Sequence, residues 1–531
     1  MLRKTAPLAV GVLALACSLE DLSNGTRPPD AAAGGSGGQG GAGGSPTTTT
    51  TSGGGGGGAG PSGPCVPGPS GSKFAWLCGF GNATDQGTLQ SDDIAALRLA
   101  TWNDGVVLAV RVKGALDFGG GPLGDMSTDR DNVLVAAFSA DGQLAADRSF
   151  SIGGSASVKT LGDVAVSPTG RIAVVGSFQS GTLIAGPATL NAPANAADGF
   201  VIVFETDGSS QVRHLRGGMG EEGRSQGALS VVFDGEDLLV GGEYVGSLAV
   251  ADAASTTDMD CGLTGDTSSN DAFVLKFSGT LDCVAGFAMG GTGSNMHDGT
   301  LTLAVGPGSQ VVAGGVFKGT MTVGALPNPL PSNSNSEDGF IVQLDPALEP
   351  VWAKRFGDHG SDRTRQLAVV DGAVYLTGVH AYNLELAGCT SMYVNSDRNP
   401  LVARLGLADG TCTWFQTFKD TGTGEGRSLA LTPTGIAVAG FFQNQIPLGG
   451  MAPQPSEGYQ DAFVALLEEA QGDVQRGVGM GSIGEDSAEA IAVSADGSSA
   501  YVAGTYAGPF DALPQVNKAE DFFLGRLPLT F

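Results

Sequence analysis

Between residues 131 and 523 one short pattern recurs: an Asp, a small or variable residue, then an aromatic or apolar residue that opens an apolar run. It stands at Asp131-Asn132-Val133, Asp198-Gly199-Phe200, Asp271-Ala272-Phe273, Asp338-Gly339-Phe340, Asp461-Ala462-Phe463 and Asp521-Phe522-Phe523. A degenerate copy starts at Asp397, where Pro400-Leu401-Val402 replaces the aromatic. The spacings are 67, 73, 67, 59, 64 and 60 residues. Self-similarity at such a period is the mark of a repeat architecture, which lets a chain of 531 residues share one continuous core.

Three further signatures keep step with the first. Gly, any residue, then an aromatic ends an apolar run at Gly176/Phe178, Gly242/Tyr244, Gly315/Phe317, Gly440/Phe442 and Gly504/Tyr506; Gly378/His380 fills the same slot with histidine, and Val110/Val112 is an eroded copy. A short run with a small centre occurs at Val164-Ala165-Val166, Leu229-Ser230-Val231, Leu303-Ala304-Val305, Leu367-Ala368-Val369, Leu429-Ala430-Leu431 and Ile491-Ala492-Val493. Tryptophan precedes phenylalanine by four residues at Trp76/Phe80, Trp352/Phe356 and Trp414/Phe418. Four short strands per unit, repeated seven times, predict an all-β chain: a seven-bladed β-propeller of four-stranded antiparallel blades over residues 74–531. We letter the strands a (the run with the small centre), b (ending Gly-x-aromatic), c (opening with Asp) and d (the Trp/Phe run). Blades converge at the axis, so small residues suit strand a and tryptophan suits strand d. The last repeat supplies a, b and c and then the chain stops, whereas Phe74 to Phe80 is an orphan that matches strand d. That segment is expected to complete the seventh blade, which would remove two sheet edges.

Units such as Val351-Trp352-Ala353-Lys354-Arg355-Phe356-Gly357, with the Gly-x-aromatic and Asp-Ala-Phe-Val-x-Leu motifs, resemble the SBBP-type bacterial β-propeller repeat. The resemblance covers residues 74–531 and implies a propeller at a bacterial surface; it implies no catalytic residues.

The N-terminus reads as an address. Arg3 and Lys4 precede an uncharged apolar stretch, Ala6 to Ala16, too short for a transmembrane helix and suited to a signal peptide over residues 1–16. Ala14-Leu15-Ala16-Cys17 resembles a bacterial lipobox, which implies diacylation of Cys17; the alternative is an ordinary signal peptide cut after Ala16. Ser18 after the cysteine favours the outer membrane or cell surface over retention at the inner membrane. Residues 17–73, with the runs Thr47–Thr51 and Gly53–Gly58, are expected to form a disordered tether, because they offer little apolar surface to offset the entropy of ordering.

Six cysteines remain after Cys17, in a chain addressed to an oxidising compartment. Cys261 and Cys283 are 22 residues apart, Cys389 and Cys412 are 23 apart, and both pairs occupy equivalent b–c and strand-d positions, which predicts two homologous within-blade disulfides. Cys65 and Cys78 are left to pin the tether to the closing strand; two free thiols or an intermolecular bridge are the alternatives.

Chemistry is sparse. A net charge of −27 argues against nucleic acid, and four histidines argue against a multi-histidine metal enzyme. The Gly-x-Ser-x-Gly match at Gly34–Gly38 lies in the tether and reflects composition. His380 reads as a packed core residue, and His297 and His359 as solvated loop residues. Asp258, Asp260 and Asp266 are weak calcium candidates without a full ligand loop, so no cofactor is expected. The recurring Asp131, Asp198, Asp271, Asp338, Asp461 and Asp521 read as turn-capping residues. Antiparallel strands put the b–c and d–a connections on one face, where a ligand is expected because the b–c loops are long. The reading is a lipid-anchored, non-enzymatic surface protein that binds a glycan or a protein. The alternatives are an extracellular carbohydrate-active enzyme and a structural envelope component.

Overall fold

The computed structural model describes residues 65–68, 72–80, 97–125, 130–217, 224–252, 258–259, 261, 263–265, 269–291, 298–333, 336–391, 398–419, 421–450, 452–511, 513 and 521–530. Signal peptide, lipidation site Cys17 and most of the tether lie outside them. The described chain is all-β and is built as a β-propeller from four-stranded antiparallel units.

In unit 1 strands a to d are Leu97–Trp102, Gly105–Lys113, Asp131–Phe138 and Leu144–Gly153. In unit 2 they are Val158–Val166, Ile172–Ala185, Ala188–Phe204 and Ser210–Gly217. Unit 3 has Gln226–Asp234, Asp237–Tyr244, Asp271–Phe277 and Cys283–Gly290. Unit 4 has Gly299–Val305, Val311–Lys318, Glu337–Leu344 and Pro350–Phe356. Unit 5 has Arg363–Val370, Ala373–His380, Asn399–Gly406 and Cys412–Thr417. Unit 6 has Glu425–Thr432, Gly435–Phe442, Asp461–Glu468 and Val474–Met480. Ser487–Val493, Ser499–Tyr506 and Asp521–Pro528 are strands a to c of the last unit. Against its third strand lies Trp76–Phe80, with Phe80 opposite Phe522 and Trp76 opposite Arg526.

Apolar side chains on both faces of the b and c strands form separate clusters between successive units, as expected where each sheet is covered on both sides. Strand a of each unit packs against strand a of the next, and strand a of unit 1 also packs against that of the last unit. A belt of side-chain bonds joins these inner strands. Asp163 accepts from Val231 N, Thr302 from Leu367 N, Gln366 from Leu429 N and Ser428 from Ile491 N. Farther out, the three tryptophans of the Trp/Phe register do one job. Trp76, Trp352 and Trp414 each donate their indole N–H to a c–d turn of the following unit, at Ala140, Leu407 and Glu469. Under each ring is a glycine of positive φ, namely Gly142, Gly410 and Gly472, where a Cβ would meet the indole at 3.0 Å or less.

Three expectations need revision. The Leu229-Ser230-Val231 run is out of step by two residues: Val231 is the counterpart of Leu303 and Val232 of Ala304, whereas Leu229 is the bulge residue, as Leu301 is in unit 4. The slot assigned to Asp397 is filled by Asn399, which pairs with His380; Asp397 lies outside the described residues. The b–c connections are not free loops throughout. Leu248–Asp252 pairs with strand d of unit 2, Thr320–Val323 with strand d of unit 3, and Leu384–Leu386 with strand d of unit 4. Each hairpin thus covers the exposed outer edge of the preceding unit.

The three disulfides are Cys65–Cys78, Cys261–Cys283 and Cys389–Cys412. The Cys389–Cys412 bond is within one unit by sequence only. Cys389 sits in the hairpin laid on unit 4, so the bond spans the groove to strand d of unit 5. Cys65–Pro67, expected to belong to the tether, forms a fifth strand beside Trp76–Phe80, with Cys65 opposite Cys78.

Candidate functional site

Every strand a carries its chemistry near its N-terminal end, on the face shared by the d–a and b–c connections. In units 2 to 7 the a–b pairing is interrupted there by one extra residue, which is Gly162, Leu229, Leu301, Arg365, Arg427 and Glu489 in turn. Around the inner ends of units 5 and 6 this produces a charged cluster. Arg365 Nε donates to Glu425 Oε1, and Arg398 Nη2 donates to Glu425 Oε2 at 2.9 Å. Arg427 Nη2 stands 3.7 Å from the same oxygen, and its Nε stands 3.7 Å from Glu489 Oε2. Arg363 Nη2 donates to Glu337 Oε2 at 2.5 Å. The Arg427 guanidinium also lies over the Phe441 ring, 5.2 Å from its centroid.

Glu425 is 1% exposed, so burial alone would favour its neutral form; the guanidiniums of Arg365, Arg427 and Arg398 outweigh this and hold its carboxyl far below the usual range. Burial lowers Arg365 to about 10, despite Glu425 beside it, and lowers Arg398 as well. For Arg427 burial acts downward too, yet Glu425 and Glu489 together raise it. The cluster is therefore a set of four fixed cations around three carboxylates, in a chain whose overall charge is −27.

Apolar and aromatic groups stand exposed on the same face. Tyr459 in the b–c connection of unit 6 is 59% exposed, and Ile483 in the following d–a turn is 84% exposed. The two are adjacent, since Tyr459 N donates to Gly484 O at 3.2 Å. One unit-pair away, the exposed His359 ring meets Tyr382 edge-on and bonds Asp358 at 2.8 Å.

The residues singled out from the sequence are placed as follows. Asp131, Asp198, Asp271, Asp338, Asp461 and Asp521 are all buried. They share one register position but not one role. Asp338 and Asp461 accept backbone N–H groups from Asn333 and Glu457, as capping residues do. Asp131 likewise accepts a backbone N–H, from Lys159 at 3.3 Å, and pairs with Arg111 at 3.1 Å, as Asp338 does with Arg355; Asp198 pairs with His214 at 2.7 Å. Burial raises the Asp198, Asp338 and Asp461 carboxyls. His380 is buried, and among the described residues neither ring nitrogen has a hydrogen-bond partner; burial, with Lys419 nearby, lowers it to about 4. His297, Asp260 and Asp266 lie outside the described residues, and Asp258 belongs to the two-residue strand Asp258–Met259. Among the described residues, no group of three or more His, Cys, Asp or Glu is placed to hold a metal ion.

A second acidic series escaped the sequence reading. Asp298, Asp362 and Asp486 each directly precede a strand a and accept a backbone N–H at the end of strand b or just beyond it, from Lys318, Ala381 and Ala507. Their spacings of 64 and 124 residues, one and two repeat lengths, were the available signal. Burial raises Asp486 to about 6 and Asp362 well above the ordinary range.

No protein-family model matches the chain, and no curated protein matches it significantly. Among solved structures it is similar to a chain of the mitotic checkpoint complex, at TM-score 0.40 and 12% identity, covering 84% of this chain and 92% of that one. Hydrazine synthase of Kuenenia stuttgartiensis is similar at TM-score 0.36 and 14% identity, covering 79% and 95%. Quinohemoprotein alcohol dehydrogenase from Comamonas testosteroni is similar at TM-score 0.35 and 9% identity, covering 87% and 80%. Likeness this slight bears on no function, and the architecture rests on the strand pairings above.

Proposed function

We propose that the seven units close into one seven-bladed ring, and that the chain is a lipid-anchored surface protein of the SBBP-repeat kind. Its propeller head binds a glycan or protein partner on the b–c/d–a face and has no catalytic role of its own. Closure is supported by the pairing of Trp76–Phe80 with the last strand and by the Trp76 bond to unit 1. The address is supported by the sequence of residues 1–17 and by the three disulfides, which suit an oxidising space. The observation that carries the binding role is the exposed pair Tyr459 and Ile483, on the same face as the arginine–carboxylate cluster. An exposed ring on a face that also carries fixed charges suits the stacking of a saccharide or the docking of a polar partner. The test is a glycan array probed with the purified full chain, beside Tyr459→Ala. Retained glycans whose signal drops at least about ten-fold in Tyr459→Ala, the loss of one anchoring contact, support the reading. An array without signal, or one indifferent to Tyr459, overturns its glycan form.

A further inference from the structure

Arginines on a protein surface usually find carboxylates one to one. The cluster at the inner ends of units 5 and 6 departs from that, and its departure is concentrated on Arg427. Both of this residue's carboxylate neighbours are at 3.7 Å, beyond hydrogen-bond range. Its Nε is buried, and no described group accepts from it; the same holds for Nε of Arg398. A buried guanidinium N–H without an acceptor is costly, and the fork of a guanidinium suits an oxyanion with two or three oxygens. Like charges brought together would ordinarily repel. Here the buried Glu425 carboxylate holds Arg365 and Arg398 by hydrogen bonds and stands near Arg427, so the repulsion is offset within the fold before any ligand arrives.

Resting on the glycan form of the reading above, we propose that Arg427, with Arg365 and Arg398 beside it, is an oxyanion subsite. It takes a carboxylate or sulfate ester borne on a saccharide whose ring stacks near Tyr459. Arg427 is the donor, because it lies on the bulge of strand a and its charged contacts leave its N–H groups uncommitted. Glu425 is a positioning residue that spaces the guanidiniums. Units 2 to 4 offer Gly162, Leu229 and Leu301 at the equivalent positions, so an anionic group has one side of the mouth to choose. The acidic chain as a whole repels polyanions at long range, which limits the subsite to ligands whose other contacts are made at once.

The experiment is calorimetric titration of the full chain with three oligosaccharides of equal length, one neutral, one bearing uronates and one bearing sulfate esters. It compares wild type, Arg427→Gln, Arg427→Lys and Arg476→Gln. Arg476 is an exposed arginine on outer strand Val474–Met480, so its variant makes the same charge change far from the cluster. Loss of a charge-assisted pair is expected to weaken the preferred anionic probe by about ten- to a hundred-fold in Arg427→Gln. Arg427→Lys is expected to recover part of this, and Arg476→Gln to leave it unchanged. Whether uronate or sulfate ester binds more tightly identifies the source of the oxyanion. Equal affinity of Arg427→Gln and Arg476→Gln overturns the subsite, as does a wild type that prefers the neutral probe. Should Arg427→Gln fold poorly, inorganic sulfate against chloride at matched ionic strength is compared in wild type and Arg427→Lys. A sulfate-specific rise in melting temperature that Arg427→Lys diminishes supports the subsite, and an identical response in both overturns it. A neutral glycan retained on the array by Arg427→Gln leaves the binding reading standing while the subsite fails. No glycan on the array with sulfate bound at Arg427 does the reverse.

Discussion

Units 2 to 4 and units 5 to 7 share strand order, bulge and inter-unit belt, yet their inner ends differ in kind. The bulge places Gly162, Leu229 and Leu301 in the first group and Arg365, Arg427 and Glu489 in the second. The fold tolerates both because the bulge residue is extra to the a–b ladder, so its side chain is free of the pairing that the repeat must conserve. What differs is how each half is held. The first packs tightly; a Cβ on Gly162 would come within 2.3 Å of Ala228 O. The second is joined across units by ion pairs, Arg365 to Glu425 and Arg427 to Glu489. At the bulge position itself the packed half is expected to be insensitive to charge, and the charged half to depend on one residue, Glu425.

The largest effect should therefore come from Glu425→Gln, which leaves three guanidiniums around a neutral amide. A loss of about 3–5 kcal/mol in urea unfolding at pH 7 is expected. Because the folded Glu425 carboxyl lies below its unfolded value of about 4.3, its contribution is complete above that pH and is lost as pH falls toward the folded value. A variant as stable as wild type at pH 7 would mean that the halves are held alike. Next, the double change Cys389→Ala with Cys412→Ala should cost about 3 kcal/mol in the same assay, the chain-entropy value for a loop of this length. The spanning position of the bond adds a sharper expectation. Protease nicking should appear at the edge of unit 4 as well as in unit 5, and nicking confined to unit 5 would contradict the hairpin's docking.

The smallest effects are pH-dependent and run in opposite directions in the two halves. His380 in unit 5 is held neutral, at about 4 against 6.5 unfolded, so wild type loses stability as pH falls through that interval. His380→Phe, the residue that Phe442 supplies in the next unit, removes two unsatisfied buried nitrogens. A gain of about 1–3 kcal/mol is expected, greater at pH 5 than at pH 7.5. Asp163 in unit 2 is raised by burial to about 6, which outweighs Arg98 and two backbone N–H bonds, so its ionisation costs stability as pH rises from about 4 to 6. Asp163→Asn should match wild type near pH 4 and exceed it at pH 7. Parallel pH profiles for the two variants would erase the contrast.

The propeller was legible because its signatures fall on paired, buried strands whose register the core enforces. Phe178, Tyr244, Phe317, His380, Phe442 and Tyr506 stand opposite Asp198, Asp271, Asp338, Asn399, Asp461 and Asp521 in turn. The cysteine pairs were legible for the same reason, as equivalent positions in two repeats. The bulge was not, because its residue varies from Gly162 to Glu489 and carries no recurring signature; in unit 3 the order Leu229-Ser230-Val231 imitates the core run, so Leu229 was read as part of it. The docking of b–c hairpins on the preceding unit was hidden too, since polar loop sequences do not say which edge they cover. The candidate site was the least legible. Glu337, Arg363, Arg365, Arg398, Glu425, Arg427 and Glu489 are spread over more than one hundred and fifty residues and meet only when four units stand side by side.

The short strand Cys65–Pro67 has a mechanical consequence. Tension applied at Cys65 enters a ribbon cross-linked to Cys78, and Cys78 lies in the strand that pairs with Asp521–Pro528. The load is thereby shared with Leu524 and its neighbours at the far terminus instead of peeling the amino-terminal ribbon away. Reduction of that single cross-link would turn a reinforced handle into a loose thread, while the other six units kept their own strands.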